Sequence, residues 1–564
     1  MTKFLTSAMV LWTTLVIGST AAPVSGTGIY SWAGWHPRQV SRTECPELRG
    51  VPLILHWKNV EPAPGEYRFE KLLREPLEAA HAQDLAVTAM IWVGPAAPDW
   101  LYKAGVPEVF TDRDVDPLGR KMSKENNRFP YYFSPVYKER FFKLVEAFGA
   151  YVAALPPELH QRIVLVQSCE GSTGDGQPFK GAPLDDEFAI PKDAWNAFRL
   201  ETWKHYQATF PGLPILVNSD ANGADQQEWL LEHMDVIALK HGMFSHGYHV
   251  SDNRTRLASF QALEAAAGKH GKPVLTRGEM DGEMFVYGWS TRNIPQGLYW
   301  SGLMATHCRL DIWNIPHKAL KDPANRPAFA FFNKHAGHRD PATTPGAFCA
   351  LRDGLDASDF VRFPASEFGG KPGRKRDKDR YLKIAMAFAN HGARMDDPDK
   401  ALGGGMLNRK RSGSNDVGWG ILPGNYSRFL TQIDPGSGDV GWWNIDDSIH
   451  GRFARGFDHQ AGKTRMRFVL DPAFFGDPGI PHAVTVSITW LDKGTGAWSL
   501  RSWSADGQGV VMRIRNKNSG KWVTKAFALD AALFPGTPKR PELTLQHEDG
   551  GNTLFHLIEL ERNP

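Results

Sequence analysis

The sequence predicts an α/β protein: a (β/α)8 TIM barrel, then a linking region, then a C-terminal all-β sandwich of jelly-roll type. Three observations carry this. Eight short apolar runs alternate with helical patterns between Gly28 and about Pro345. The first run, Gly28-Ile-Tyr-Ser-Trp, lacks the Gly-rich phosphate turn that an open doubly wound sheet would carry after its first strand. From Val440 onward, short runs with period-two alternation are separated by turn pairs such as Asp506-Gly507 and Asp549-Gly550.

The chain begins with one lysine, an apolar run from Phe4 to Ile17 and the small residues Ser19–Ala22. That is the pattern of a signal peptide over residues 1–22, so the expectation is a secreted or periplasmic protein. No later run reaches the roughly 18 apolar residues of a membrane span. The strands then read as Ile29–Trp32, Pro52–Trp57, Ala86–Val93, Ile163–Ser168, Pro214–Asn218, Val236–Lys240, Pro273–Thr276 and Arg309–Asn314. Helical patterns such as Glu70–Gln83, Tyr137–Ala154, Ala194–Thr209, Ala258–His270 and Gln296–His307 lie between them. These bounds give a barrel over 23–345, a linking or accessory region over 346–434, and a sandwich, carbohydrate-binding in type, over 435–564.

Composition narrows the function. Of 564 residues, Lys+Arg number 65 and Asp+Glu 62, a net charge of +3 that gives no global reason to expect a nucleic acid or membrane partner. Hydrophobic content of 42% and charge of 23% exclude a disordered chain. The 19 Trp, 32 Phe, 55 Gly and 39 Pro describe a loop-rich protein with wide aromatic surfaces, which suits a saccharide cleft and equally an aromatic core. Cys45, Cys169, Cys308 and Cys349 are too scattered for a disulfide framework or a zinc site.

In such a barrel, function sits at the C-terminal ends of the strands. Glu170 follows the fourth strand in Ile-Val-Leu-Val-Gln-Ser-Cys-Glu-Gly-Ser-Thr-Gly-Asp-Gly, and Glu279 ends the seventh in Val-Leu-Thr-Arg-Gly-Glu. A retaining glycosidase needs one carboxyl group to protonate the leaving oxygen and a second, about 5–5.5 Å away, to attack the anomeric carbon. The plainer alternative is that each glutamate pairs with an arginine or caps a helix; Arg277 makes this real for Glu279. Asp175 is the substitute for Glu170, though its glycine neighbours fit a loop turn better. Asp281 and Glu283 are the substitutes for Glu279.

The second strand continues as Trp57-Lys-Asn-Val-Glu-Pro-Ala-Pro-Gly-Glu-Tyr-Arg-Phe69, which resembles the W-x-x-x-E-P-x-x-G-x-Y-x-F segment of barrel glycoside hydrolases in the large retaining clan that includes β-galactosidases. The resemblance covers about residues 28–320. It implies an acid/base glutamate after strand four, Glu170, and a nucleophile after strand seven, Glu279. Clan members usually carry Asn immediately before the acid/base, on the substrate 2-hydroxyl; here that position is Cys169, a weak donor. The departure suggests a modified sugar, as in a sulfated or anhydro-galactose unit of a red-algal galactan, and an agarase- or carrageenase-like enzyme.

Further substrate contacts are expected from Trp32, His56, Trp57, Trp92, Trp289 and Trp313, at or beyond strand ends, and from Lys240, His241 and His246 after strand six, with His249 nearby. No H-E-x-x-H, P-loop or G-x-S-x-G pattern occurs, so no metal or cofactor is expected. The expected partner is a carbohydrate, with an anionic polysaccharide the sharper reading of the basic runs at Arg374-Lys-Arg and Arg409-Lys-Arg. The competing function class is a glycan-binding protein that kept a glycosidase barrel without its chemistry.

Overall fold

The structure, a computed structural model, describes residues 26–32, 34–113, 121, 123, 127–218, 223–241, 253–280, 282–285, 289–375, 377–396, 415–537 and 539–563. The signal segment, His246, His249 and the Arg409-Lys-Arg run lie outside them.

Eight parallel strands close a barrel: β1 (Gly28–Trp32), β2 (Leu48–His56), β3 (Ala86–Trp92), β4 (Ile163–Gln167), β5 (Ile215–Asn218), β6 (Ile237–His241), β7 (Val274–Glu279) and β8 (Ile312–Pro316). Each strand neighbours the next in sequence, and β8 pairs with β1. The expected eight strands are all present. β8 begins later than expected because Arg309, read as its first residue, turns the chain at φ 60. Asp311 is then fixed by the Thr276 N–H, which donates to its Oδ2 at 2.7 Å.

Helices follow seven of the strands: α1 (Glu75–Ala82), α2 (Pro135–Ala153), α3 (Lys192–Thr209), α4 (Ala224–His233), α5 (Asn253–Lys269), α6 (Ile294–His307) and α7 (Arg326–His335). α2 shows why the outer layer forms. Pro135 opens it, and Tyr137, Phe141, Leu144, Val145, Phe148 and Val152 recur at helical spacing and are buried. Each large side chain so buried is worth about 1.5–3 kcal/mol over an exposed one. In α3, Arg199 and Trp203 share the buried face with Trp195, Phe198 and Tyr206.

The barrel floor is filled by Tyr30, Ala86, Leu165, Leu216, Ala238 and Ile312. Because strand side chains alternate, these residues fix which positions above them point inward.

The C-terminal domain is two packed antiparallel sheets. One has the order β10-β9-β20-β13-β12 over Tyr426–Arg428, Gly346–Ala350, Leu554–Arg562, Phe453–Gly456 and Val440–Trp443, with β15 (His482–Asp492) joining β20 to β18 (Lys521–Ala532). The other has the order β11-β14-β19-β16-β17 over Leu430–Ile433, Arg465–Leu470, Leu543–Asp549, Ala497–Ser504 and Gly507–Arg515. The sandwich therefore starts earlier than residue 435. Gly346–Ala350 pairs with Leu557–Glu561 inside the first sheet, so the region expected to be a linker supplies core strands. Trp443, Trp490 and Trp498 are buried in that domain. All four cysteines are free and buried.

α6 lies between the two domains. Asn293 caps it by accepting from the Gln296 N–H, and every residue from Gln296 to Thr306 is buried, because it faces the barrel on one side and the sandwich on the other. Tyr299 Oη and His556 Nε2 of β20 are 2.9 Å apart.

Candidate active site

Counting up from the floor in steps of two places Gln167 and Cys169 above Leu165, Asn218 above Leu216, Lys240 above Ala238, and Trp32 above Tyr30. On β7 the same alternation gives Leu275, Arg277 and Glu279. Strand register sets these at matching heights: Asn218 pairs with Lys240, Lys240 with Arg277, and Glu279 with Asn314. The apolar floor is thus capped by a polar layer at the C-terminal ends of the strands.

Lys240 is its centre. Its ammonium donates to Asp175 Oδ1 at 2.7 Å and ion-pairs with Glu279 Oε1. Burial disfavours the ammonium charge, but the Glu279 and Asp175 carboxylates outweigh it and hold Lys240 firmly protonated. Arg277 reaches Glu279 Oε2 at 3.5 Å, donates to Gln167 Oε1 at 2.7 Å, and lies 5.0 Å from the centre of the Trp32 ring. Glu279 is thereby a nearly buried carboxylate with a cation on each oxygen. Asp175 and Glu279 thereby share one ammonium.

Asp175 comes from the loop after β4, and that loop is tightly built. Asp175 N–H donates to Ser172 O at 2.9 Å, Ser172 N–H to Gln177 O at 3.0 Å, and Thr173 N–H to Gly94 O at 2.7 Å. Gly174 O accepts from Gln167 Nε2 at 2.8 Å and from Asn218 Nδ2 at 2.6 Å, and Gly176 O accepts from Trp195 Nε1 at 2.8 Å. Thr173, a β-branched residue, sits at φ 52, a strained conformation that only a heavily determined loop retains. Burial would push the Asp175 carboxyl up; the Lys240 and Lys180 ammonium groups overcome it and hold the group well below the usual carboxylate range.

Glu170 goes elsewhere. One position past the inward Cys169, its side chain turns to the helix layer and is fully buried. Oε1 accepts from Arg199 Nε at 2.9 Å and from Trp203 Nε1 at 3.0 Å, and Oε2 from Ser168 Oγ at 2.9 Å. Glu170, expected as the acid/base, thus lies in this structure with Oε1 held by Arg199 and Trp203 of α3 and Oε2 by Ser168. The alternative weighed from sequence, pairing with an arginine, is the one observed, though with Arg199.

Of the expected substrate contacts, Trp32, His56 and Trp92 stand half-buried at the ends of β1, β2 and β3, with His56 stacked on Trp92 at 5.6 Å and 15°. Burial, reinforced by Lys58, keeps the His56 imidazole below its ordinary value and so neutral at pH 7. Trp57 and Trp313 are corrected to core residues. Both are fully buried; Trp57 packs on Trp100, Tyr137 and Phe141 and donates to Glu61 Oε2 at 2.7 Å, while Trp313 packs on Phe332. Each follows an inward residue, so each faces the helices. His241 ends β6 and Trp289 lies in a short helical turn, but their side chains, like all of His246, lie outside the described residues. Burial keeps the Cys169 thiol protonated at neutral pH. Sequence reasoning ranked Asp175 second and gave no role to Arg277 beyond pairing; alternation counted from Leu275 would have found Arg277, whereas Asp175 lies in a loop beyond the end of β4. No group of three or more His, Cys, Asp or Glu side chains able to hold a metal occurs among the described residues.

Residues 47–156 match the profile of glycoside hydrolase family 42, described as beta-galactosidase. The matched segment runs from β2 through α2 and ends before β4, so it contains neither Glu170 nor Glu279. No curated protein matches the chain. Among solved structures it is similar to the β-galactosidase of the psychrophilic Marinomonas ef1, with 14% identity over 54% of this chain and 59% of that one and a TM-score of 0.35. It is also similar to the cold-adapted β-galactosidase of Rahnella sp. R3, with 13% identity over 56% of this chain and 57% of that one and a TM-score of 0.36. A glucosidase from Croceicoccus marinus shows 9% identity over 96% of this chain and 97% of that one, with a TM-score of 0.31. The chain spans less than two thirds of either β-galactosidase.

Proposed function

We propose that this protein is a secreted or periplasmic retaining glycoside hydrolase that cleaves β-glycosidic bonds in a galactose-containing polysaccharide or oligosaccharide, with Glu279 as nucleophile. The observation that carries the reading is the placement of Glu279: inward at the end of β7, paired with Lys240 and Arg277, and opposite a second carboxylate across one ammonium. A nucleophile must sit close to the anomeric carbon, and Glu279 is held at the mouth between two cations. Trp32 and Trp92 offer the apolar faces on which sugar rings stack.

A sulfated red-algal galactan is the substrate we favour. Among the described residues around the mouth, Lys240, Lys180 and Arg277 outnumber Asp175 and Glu279, which suits a sugar that brings its own negative charge. Equal turnover of sulfated and desulfated galactan would remove this part of the reading.

The direct test is covalent trapping. A 2-deoxy-2-fluoro-β-galactoside with a dinitrophenyl leaving group should inactivate the enzyme with one label on the peptide containing Glu279. Label on another carboxylate would reject the assignment. The burial of Glu170 favours one second reading, a glycan-binding protein on a glycosidase barrel. Tight binding of galactans without any product would establish it.

A further inference from the structure

Glu170 cannot act on a leaving oxygen while its carboxylate faces α3, yet a retaining glycosidase needs a proton donor on that side of the mouth. The loop after β4 supplies one. We propose that Asp175, and not Glu170, is the carboxyl group that protonates the leaving oxygen, and that Glu170 acts through Arg199 as a positioning residue for the loop that carries it. This rests on the glycosidase reading above.

Three observations support it. The first is reach: the Asp175 side chain is about one-third exposed, whereas that of Glu170 is at 0%. The second is apposition: Asp175 and Glu279 hold the same Lys240 ammonium from two sides. The third is construction. Four hydrogen bonds fix residues 172–176 against the end of β3, β4, β5 and α3, two more brace the loop internally, and Arg199 joins Glu170 to the same assembly by donating from Nη2 to Asn218 O at 3.0 Å. A Cβ at Gly176 would sit 3.2 Å from Arg199 Nη2, so the loop rests directly on the guanidinium that Glu170 holds. A surface turn of the same sequence would need none of this.

Lys240 also explains how an aspartate at rest in an ion pair comes to carry a proton. A sugar seated between the carboxylates offers its hydroxyl oxygens, or a sulfate, to the Lys240 and Lys180 ammonium groups and draws both off Asp175. With those two cations gone, Asp175 takes a proton from solvent. In the first step Glu279 attacks the anomeric carbon, the C–O bond breaks with its electron pair going to the leaving oxygen, and Asp175 gives that oxygen its proton. In the second, Asp175 takes a proton from water, whose oxygen displaces Glu279. The acid is thereby regenerated, and one water has been consumed per bond cleaved.

The test compares Asp175→Asn and Glu170→Gln on a dinitrophenyl β-galactoside, which needs no protonation to leave, and on an alkyl β-galactoside, which does. Asp175→Asn should lose about 10²–10⁴-fold on the alkyl substrate, lose the alkaline limb of kcat, and form β-galactosyl azide when azide is added. Its Glu279 should still be labelled by the fluorosugar, which shows that the site is folded. Glu170→Gln should lower the melting temperature, keep the alkaline limb and form no azide product. Azide product and loss of the limb in Glu170→Gln, or full activity of Asp175→Asn on the alkyl substrate, would overturn the proposal alone. A wild-type protein inert on both substrates would overturn the glycosidase reading and this one with it.

Discussion

Arg199 and Glu170 meet in the seam between the barrel and α3, Nε to Oε1 at 2.9 Å, with neither side chain more than 1% exposed. A buried pair of this kind is costly to break from one side, because the remaining charge has no water to turn to. Arg199→Met should therefore destabilise the protein by about 3–5 kcal/mol, read from urea unfolding. A loss under about 1 kcal/mol would contradict a buried ion pair at this seam.

Lys240→Met tests the electrostatics of the mouth. Lys240 lowers the Asp175 carboxyl, so deleting it moves that carboxyl upward and extends its protonated range to higher pH. The alkaline limb of kcat/KM, which reports the free enzyme, should shift to higher pH by about one unit or more. A shift to lower pH would contradict the assignment of that limb to Asp175.

The aromatic residues divide into two groups with different signatures. Trp92→Ala removes a half-buried ring at the mouth and should raise KM about tenfold, as expected for about 1.4 kcal/mol of lost stacking, with little change in melting temperature. Trp57→Ala opens a cavity among Trp100, Tyr137 and Phe141 and should cost about 3–5 kcal/mol of stability. The reverse pattern would return Trp57 to the cleft.

Glu542, fully buried in the sandwich, has its carboxyl pushed up from 4.5 to about 7 by burial, against which the Gly536 and Leu470 N–H groups work. Its folded value lies above its unfolded one, so the stability it confers is complete below about pH 4.5 and is lost as pH rises through about 7. The difference is of order 3 kcal/mol. Glu542→Gln should melt closer to the wild type at pH 5 and above it at pH 8. Parallel melting curves across that range would show that Glu542 is ionised throughout.

The barrel was legible because its signal is redundant. Each strand is a short apolar run between turn residues, and an error at one end, as at Arg309, leaves the alternation intact. Glu279 was legible for the same reason, since it continues the inward parity of Leu275 and Arg277. The surroundings of Glu170 were not legible, because proximity to a strand end says nothing about which way a side chain turns. Beyond Gln167 the chain leaves the sheet, and the face then depends on Arg199 and Trp203, thirty residues on and invisible to local pattern. Gly346–Ala350 was hidden in the same way: five residues isolated between polar stretches become a strand only when β20, two hundred residues later, supplies the partner.

Helix α6 has a consequence for how this chain can be taken apart. A helix buried on every side has no solvent face to fall back on, so cutting after β8 would not release a free-standing barrel but one with an uncovered, largely apolar wall. The sandwich is thus a structural half of the catalytic unit rather than an appendage. Inheritance, expression and engineering must treat the two as one indivisible piece.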